Sequence, residues 1–200
     1  MTLDQFKQVW AKAAAKTAAR EKDYSALDAA AGGDGDHGEA IVAATKALAK
    51  AEGDDFKSVL EDMVSHLESD VSGSTSSLYG TLFEGMADAV EAGKTELSAG
   101  EIAEVFAAGL EELGFATKAK GGDKTFMDAL IPAIGALQAH AAEGEAAMFA
   151  AAAAAAKAGS EATAQMQAKY GRAKNLGARS IGPVDAGSAS NADIWACFAE

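Results

Sequence analysis

Apolar residues recur every three or four positions along most of this chain, which is the spacing of one face of an α-helix. The first stretch contains Leu3, Phe6 and Val9 and predicts a helix that ends at about Arg20. Similar stretches predict further helices at about 24–31, 39–52, 56–67, 78–92, 99–113, 126–137 and 145–170, and a last one that follows residue 187 and contains Ile194, Trp195 and Phe198. The sequence therefore predicts one all-α domain over residues 1–200, an antiparallel bundle of about eight or nine helices.

Four polar segments interrupt the helical pattern, at about residues 28–38, 71–77, 117–125 and 171–187. Two predicted helices separate each segment from the next. Because alternate connections of an up-and-down bundle lie at the same end, this order predicts that all four segments meet at one end of the bundle. A ligand site is therefore expected in the connecting loops at that end.

The first polar segment combines glycines with carboxylates. Asp28 precedes the run Gly32–Gly38 (GGDGDHG), which includes Asp34 and Asp36. Glycine allows sharp turns and close approach of the backbone to a ligand. The carboxylates can converge on one hard cation, and Mg²⁺ takes oxygen ligands while leaving positions for water and phosphate. A solvated Asp/Gly turn is the alternative interpretation.

The other three polar segments offer groups that bind anions. Residues 71–77 (VSGSTSS) supply hydroxyls and backbone amides at the start of a predicted helix, where free N–H groups and the helix dipole favour an anion. Six of the 17 basic residues lie in the last two segments: Lys118, Lys120, Lys124, Arg172, Lys174 and Arg179. Basic loops beside an acidic cluster indicate a magnesium–polyphosphate site. Solvated loop charges are again the alternative.

Composition and motifs argue against several other classes of protein. The formal net charge of −13 disfavours nucleic acid and anionic membranes as partners. The single cysteine, Cys197, cannot form an internal disulfide and suits a reducing compartment. No P-loop motif is present, and a calcium EF-hand loop starting at Asp34 would have Glu39 in place of its glycine. A soluble cytoplasmic protein is therefore expected.

Four short motifs run in order along nearly the whole chain. They are Leu27–Gly38 with its three aspartates, Ser72–Gly80 (SGSTSSLYG), Gly122–Pro132 (GDKTFMDALIP) and Gly171–Gly182 (GRAKNLGARSIG). Each motif alone is weak, but their order and spacing together resemble the nucleotide-binding L subunit of dihydroxyacetone kinases. The chain departs from the family pattern in one spacing, because Asp28 and Asp34 lie six residues apart here and usually five apart in the family.

This resemblance implies a barrel of eight antiparallel helices that holds a nucleotide at one end. It implies that Asp28, Asp34 and Asp36 bind two Mg²⁺ ions, which hold the phosphates of ADP or ATP. Residues assigned to the nucleotide by the resemblance are His37, Gly38, Gly73, Ser74, Thr75, Thr117, Phe126, Arg172, Asp185 and Gly187. Arg172 would also offset phosphate charge during transfer, and the resemblance places no other catalytic residue in this chain.

The activity implied by the resemblance is phosphoryl transfer from a magnesium nucleotide to dihydroxyacetone, or a related ketose, held covalently on a separate K-type subunit. ADP would stay bound and be rephosphorylated by a phosphocarrier of the phosphotransferase system. Two alternatives remain: an ATP-dependent erythrulose-type kinase subunit, and a non-catalytic ADP-sensing module that binds a transcription regulator. The sequence does not determine the oligomeric state, and a homodimer is one of the alternatives.

Overall fold

The computed structural model describes residues 1–200 and is built from nine α-helices. They are α1 (Leu3–Ala19), α2 (Glu21–Ala30), α3 (His37–Ala49), α4 (Phe56–Asp70), α5 (Ser74–Asp88), α6 (Ala99–Ala116), α7 (Met127–His140), α8 (Glu145–Ala162) and α9 (Ala186–Phe198). Three 3-10 helices lie at Ala141–Glu143, Thr163–Gln165 and Arg172–Ser180. No β-sheet forms, so the all-α prediction is confirmed. None of the helices combines the length and the apolar character that crossing a membrane requires.

Eight of the nine helices form a closed ring. From α3 to α9 each helix packs against the next one in the chain, and α1 packs against both α3 and α9. The helices α1 and α3 run antiparallel, because Lys7 of α1 donates to the carbonyl of Gly53 beyond α3, and Thr17 of α1 bonds Thr45 within α3. The short helix α2 packs on α3 and α9. The predicted eight-helix barrel is therefore confirmed, with α2 added at one end.

Side-chain caps fix where several helices begin. Thr2, Asp55 and Ser98 each form a capping box with the residue three positions later. Asp185 caps α9 by accepting from the N–H of Ser188. By contrast, α3 and α5 begin at the polar end of the barrel without a side-chain cap. Their first backbone N–H groups therefore remain available to a ligand.

Large aromatic side chains from all around the ring fill its interior. They are Phe6, Trp10, Phe56, Phe83, Phe106, Phe149, Trp195 and Phe198, all buried. Phe198 alone contacts five of these rings, at centroid distances of 5.3–6.3 Å. Burying a phenylalanine of this kind stabilises the fold by roughly 1.5–3 kcal/mol. The apolar centre confines polar chemistry to the surface and the barrel ends.

Glycines allow neighbouring helices to approach each other closely. Between α5 and α6, a Cβ added to Gly109 would lie 2.5 Å from the carbonyl oxygen of Leu82. Between α7 and α8, a Cβ added to Gly159 would lie 1.9 Å from the carbonyl oxygen of Asp128. That oxygen has no helical N–H partner, because Pro132 four residues later lacks one. Contact between α7 and α8 therefore depends on a glycine at position 159.

Gly159→Ala is expected to lower the free energy of unfolding by about 1–3 kcal/mol, because the added methyl group forces α7 and α8 apart. Gly135→Ala is the matched control, since Gly135 is exposed on α7 and a Cβ there meets no atom within 4 Å. This control should stabilise the protein by up to about 1 kcal/mol through helix propensity. Urea denaturation measures both, and equal effects of the two substitutions would contradict this packing.

The predicted end of the eighth helix is wrong, because residues 163–170 are not part of an α-helix. Helix α8 ends at Ala162 instead of near Tyr170. Helix α9 begins at Ala186, and most of the predicted loop before it is a 3-10 segment broken at Gly177, where φ is 56°. The Ala-rich sequence of α8 contains no strong stop signal, so periodicity alone extended the helix too far.

Candidate metal and phosphate site

The four polar segments surround one cavity of about 730 Å³ at an end of the barrel. Residues predicted for the site line it from every segment: Asp28, Asp36 and His37; Gly73, Ser74 and Thr75; Thr117 and Phe126; Arg172, Asp185 and Gly187. Of the predicted residues, Asp34 and Gly38 lie outside this lining. The grouping follows from the pair of helices between successive segments, which returns the chain to the same end each time.

Three carboxylates converge at the edge of the cavity. Asp28, Asp34 and Asp36 each offer an oxygen atom, and these atoms lie within 4.8 Å of one another. Asp28 comes from the last turns of α2, whereas Asp34 and Asp36 come from the turn before α3. Asp36 occupies the N-cap position of α3 but makes no side-chain cap, so its carboxylate points elsewhere. The arrangement can supply oxygen ligands to a divalent cation.

The glycines of this turn bring Asp28 to the other two acids. The backbone N–H of Gly33 donates to the carbonyl oxygen of Asp28, and the N–H of Gly35 donates to its carboxylate at 2.8 Å. A Cβ added to Gly33 would lie 2.1 Å from that carboxylate. Gly32 adopts a φ of 83°, which turns the chain at the end of α2. The additional residue between Asp28 and Asp34 is therefore absorbed in this turn.

A cationic side chain already lies against two of the acids. An Nη2 atom of Arg172 is 2.5 Å from Asp34 and 3.1 Å from Asp36. These two carboxylates accept no other hydrogen bond from the protein, and about half of each side chain is exposed. Like charges this close require a counter-ion, which Arg172 supplies in part. The three carboxylates therefore suit a divalent cation, which would supply the rest of the positive charge.

The start of α5 forms the wall of the cavity that suits an anion. Gly73 is its N-cap residue, with φ of 82°, and no side chain caps this helix. Ser74 and Thr75 follow in the first helical turn and line the cavity. Helix α5 begins at Ser74, so the predicted polar loop 71–77 is in part helical. Free N–H groups at a helix start bind phosphate readily.

The side chain of His37 connects the acidic edge of the cavity to α9. Its Nε2 lies 2.9 Å from the Oγ of Ser190 on α9, and its ring packs edge-on against Tyr24. Burial lowers the pKa of His37, although the neighbouring Asp28 acts in the other direction. The next residue, Gly38, is buried, and a Cβ added to it would meet the backbone of α2. Gly38 therefore serves the contact between α2 and α3.

The remaining wall contains Phe126 and the start of α9. A Cβ added to Gly187 would lie 3.3 Å from the Cβ of Phe126, so these two segments touch. Phe126 also packs against Tyr79, with ring centroids 5.9 Å apart. Asp185 caps α9, and burial raises the pKa of its carboxyl group to about 7. This wall is largely apolar, unlike the acidic edge.

Asp185→Asn is expected to change how stability depends on pH. With a folded pKa of about 7 against an ordinary 3.8, the native state holds a proton that the unfolded chain has lost, so stability falls as pH rises from about 4 to 7. The fall is at most about 4 kcal/mol, at 1.4 kcal/mol per pH unit. Urea denaturation without nucleotide, repeated across this pH range, measures the free energy of unfolding of both proteins. It should fall more steeply with pH in the unsubstituted protein than in Asp185→Asn, and the same pH dependence in both would contradict the raised pKa.

The structure corrects the expectation for the basic loop residues. Of the six, only Lys124 and Arg172 line the cavity. The others are exposed away from it: Lys118, Lys120, Lys174 and Arg179. Lining residues that were not assigned to the site from the sequence include Tyr79, Tyr170 and Ser190. Ser190 belongs to a buried polar set on α9 with Ser188 and Asn191, and the cluster of polar residues within four positions of an Ala-rich helix could have indicated it.

Comparison with known proteins places this chain beside subunits of one kind of kinase. The DAK2 domain model matches residues 31–200. The ADP-binding subunit DhaL of PEP-dependent dihydroxyacetone kinase 2 from Listeria innocua is 34% identical over 181 residues, covering 86% of this chain and 82% of that subunit. The ADP-binding subunit DhaL of Escherichia coli is 32% identical over 167 residues, covering 79% of this chain and 78% of that subunit.

Among solved structures, the dihydroxyacetone kinase of C. freundii in complex with AMP-PNP and Mg²⁺ matches with a TM-score of 0.77 and 25% identity. The match covers 96% of this chain and 33% of the C. freundii chain, so this chain corresponds to about a third of that enzyme. The motifs at the cavity, the family match and the relatives agree. The chain therefore belongs to the DAK2 domain family, that of the nucleotide-binding L subunits of dihydroxyacetone kinases.

Proposed function

We propose that this chain is the phosphoryl-donor subunit of a dihydroxyacetone kinase, in which ADP stays bound and is rephosphorylated by a phosphocarrier. The observation that carries the proposal is the convergence of Asp28, Asp34 and Asp36 at the edge of a cavity whose next wall is an uncapped helix start. The relatives from Listeria innocua and Escherichia coli are named as ADP-binding subunits of PEP-dependent kinases, which supports a phosphocarrier as the phosphoryl source.

The acidic edge would hold two Mg²⁺ ions through Asp28, Asp34 and Asp36. Bound magnesium nucleotide supplies the phosphoryl group together with cations that neutralise its charge. Arg172 can exchange Asp34 and Asp36 for phosphate oxygens, since its side chain is 56% exposed. A guanidinium presents two parallel N–H donors to phosphate, which gives orientation as well as charge.

The other walls would orient the nucleotide. The amides of Ser74 and Thr75 at the start of α5 would donate to the phosphates. Phe126 and Gly187 form the apolar wall, where the base and sugar can be buried away from water. The terminal phosphate would then lie at the acidic edge, which is exposed to solvent. Phosphoryl transfer needs positioning and charge neutralisation more than covalent participation of the protein.

The acceptor would be dihydroxyacetone on a separate K-type subunit. We expect the isolated chain to bind ADP and to form no ketose phosphate. Together with a K-type subunit, dihydroxyacetone and a phosphocarrier charged from phosphoenolpyruvate, it should form dihydroxyacetone phosphate with ADP in catalytic amount.

Chromatographic detection of the product tests this, with ATP in place of the phosphocarrier as a second donor. Product with ATP alone would contradict the bound-ADP cycle and favour an ATP-dependent kinase. Absence of product with either donor would contradict the kinase proposal and favour the ADP-sensing module. Product formed by the chain alone would show that no K-type subunit is needed.

A further inference from the structure

The charged residues at the start of the third motif are used to hold the backbone in place. The carboxylate of Asp123 accepts from the N–H of Lys120 and pairs with the ammonium of Lys169 at 2.7 Å. The carboxylate of Asp128 accepts from the N–H groups of Gly122 and Thr125. Asp123 and Asp128 are both nearly fully buried. This turn between α6 and α7 is therefore a fixed structure.

Lys124, in the middle of this turn, is buried to an extent unusual for lysine. Its exposed fraction is 2%, and its backbone adopts a φ of 61° without being glycine. The ammonium Nζ lies 2.7 Å from the carbonyl oxygen of Thr163 and 2.5 Å from that of Pro183. Burying a charge is costly unless hydrogen bonds compensate, so these two contacts are what retain the side chain in the interior.

The two carbonyl groups bound by Lys124 flank the start of α9. Thr163 also accepts, through its Oγ1, from the backbone N–H of Asp185 at 2.9 Å. Pro183 lies two residues before Asp185, the cap of α9. On the other side, Phe126 lies two residues after Lys124 and packs on Gly187 at the start of α9. One ammonium group therefore connects the turn, the end of α8 and the start of α9.

We propose that Lys124 is a positioning residue, whose buried ammonium ties Thr163 and Pro183 together and so holds the start of α9 against Phe126 at the wall of the nucleotide cavity. The expected effect on nucleotide binding rests on the proposed function. Its structural part, the fixed start of α9, does not depend on that function.

A direct contact between Lys124 and a phosphate is the competing role. Two of the three ammonium hydrogens are used by carbonyl groups, which leaves one for other partners. The charged groups that influence the ammonium are the carboxylates of Asp185 and Asp128. Burial lowers the pKa of Lys124, while these two acids act in the other direction. These surroundings favour a fixed ammonium over one that moves to a ligand.

Amide hydrogen exchange of the nucleotide-free chain tests the structural part. In Lys124→Met, which keeps the apolar stem, peptides containing the amides of Asp185 and Ser188 should exchange at least about tenfold faster than in the unsubstituted chain. Lys118→Met is the matched control, because Lys118 is exposed in the same segment, and it should leave the exchange unchanged. Unchanged exchange at these amides in Lys124→Met would overturn the proposal.

Calorimetric titration with ADP and with adenosine tests the consequence for binding. If Lys124 positions the wall, Lys124→Met should weaken both ligands by the same factor, about tenfold. Loss of ADP affinity alone would mean that the ammonium acts on phosphate, and it would overturn the positioning role. If the unsubstituted chain binds neither ligand, the proposed function fails, while the exchange experiment still decides the role of Lys124.

A second measurement needs no variant and covers the case in which Lys124→Met does not fold. In the unsubstituted chain, the ammonium hydrogens of Lys124 should give a protected NMR signal, because they are buried and bonded to carbonyl groups. That protection should persist when ADP is added. Exchange as fast as that of exposed lysines, with or without ADP, would overturn the proposal.

Discussion

Asp34→Asn is expected to weaken Mg²⁺-dependent ADP binding by roughly 100-fold or more. The substitution removes one of three negative charges that lie within 4.8 Å of one another, and an amide oxygen is a weaker ligand for Mg²⁺ than a carboxylate. Changes to groups that merely support a metal ligand cost about 10–100-fold, and Asp34 is proposed to be a ligand itself. Calorimetric titration with ADP, in the presence of Mg²⁺ and then of EDTA, measures the effect.

Asp54→Asn is the control for this charge change. Asp54 is exposed and lies between α3 and α4, at the end of α3 away from the cavity. Its substitution should leave ADP affinity unchanged, which separates the acidic cluster from the general negative charge of the protein. The stability of Asp34→Asn should stay close to that of the unsubstituted chain, since Asp34 is bonded only to an exposed Arg172. Unchanged ADP affinity in Asp34→Asn would remove the proposed metal site.

Gly33→Ala is expected to weaken Mg²⁺-dependent ADP binding by about 10–100-fold although it changes no charge. The added Cβ would lie 2.1 Å from Oδ1 and 2.4 Å from Oδ2 of Asp28. No backbone atom is among its three nearest neighbours, so the Asp28 side chain must rotate while the helices stay in place. Rotation would separate Asp28 from the other two acids. The same titration with ADP and Mg²⁺ measures the loss.

Gly121→Ala is the control for Gly33→Ala. Gly121 has no positive φ, and a Cβ there would meet no atom within 4 Å. Both variants should unfold at nearly the same temperature, but only Gly33→Ala should lose ADP affinity. Equal affinities would mean that Asp28 tolerates the methyl group or does not bind the metal. A low melting temperature of Gly33→Ala alone would contradict the claim that the helices stay in place.

The architecture could be predicted from the sequence because it depends on periodicity and order. Residues such as Phe6, Val9 and Trp10 mark one face of α1, and similar faces mark α4 and α6. The two helices between successive polar segments then determine that the segments share one end. Boundaries near residue 170 were wrong, because the Ala-rich pattern of α8 continues past the point where tertiary contacts end the helix.

The contacts within the candidate site could be predicted only in part. The identity of the acidic residues was readable, but the convergence of Asp28 with Asp34 and Asp36 depends on how the additional glycine is absorbed in the turn. The role of Lys124 could not be read, because a lysine in a polar loop is usually solvated. The ammonium group is held in the interior by the carbonyl groups of Thr163 and Pro183. These residues are distant from Lys124 in the sequence, so no local pattern connects them to it.

The most direct test of the proposed metal site is a crystal structure of this chain with Mn²⁺ and ADP, in which anomalous scattering locates the Mn²⁺ ions. Two anomalous peaks are expected beside the diphosphate, each about 2.1 Å from oxygen atoms of Asp28, Asp34 or Asp36. Arg172 should turn from these acids toward the phosphates. Peaks elsewhere, or the three carboxylates pointing apart with ADP bound, would contradict the proposed metal site.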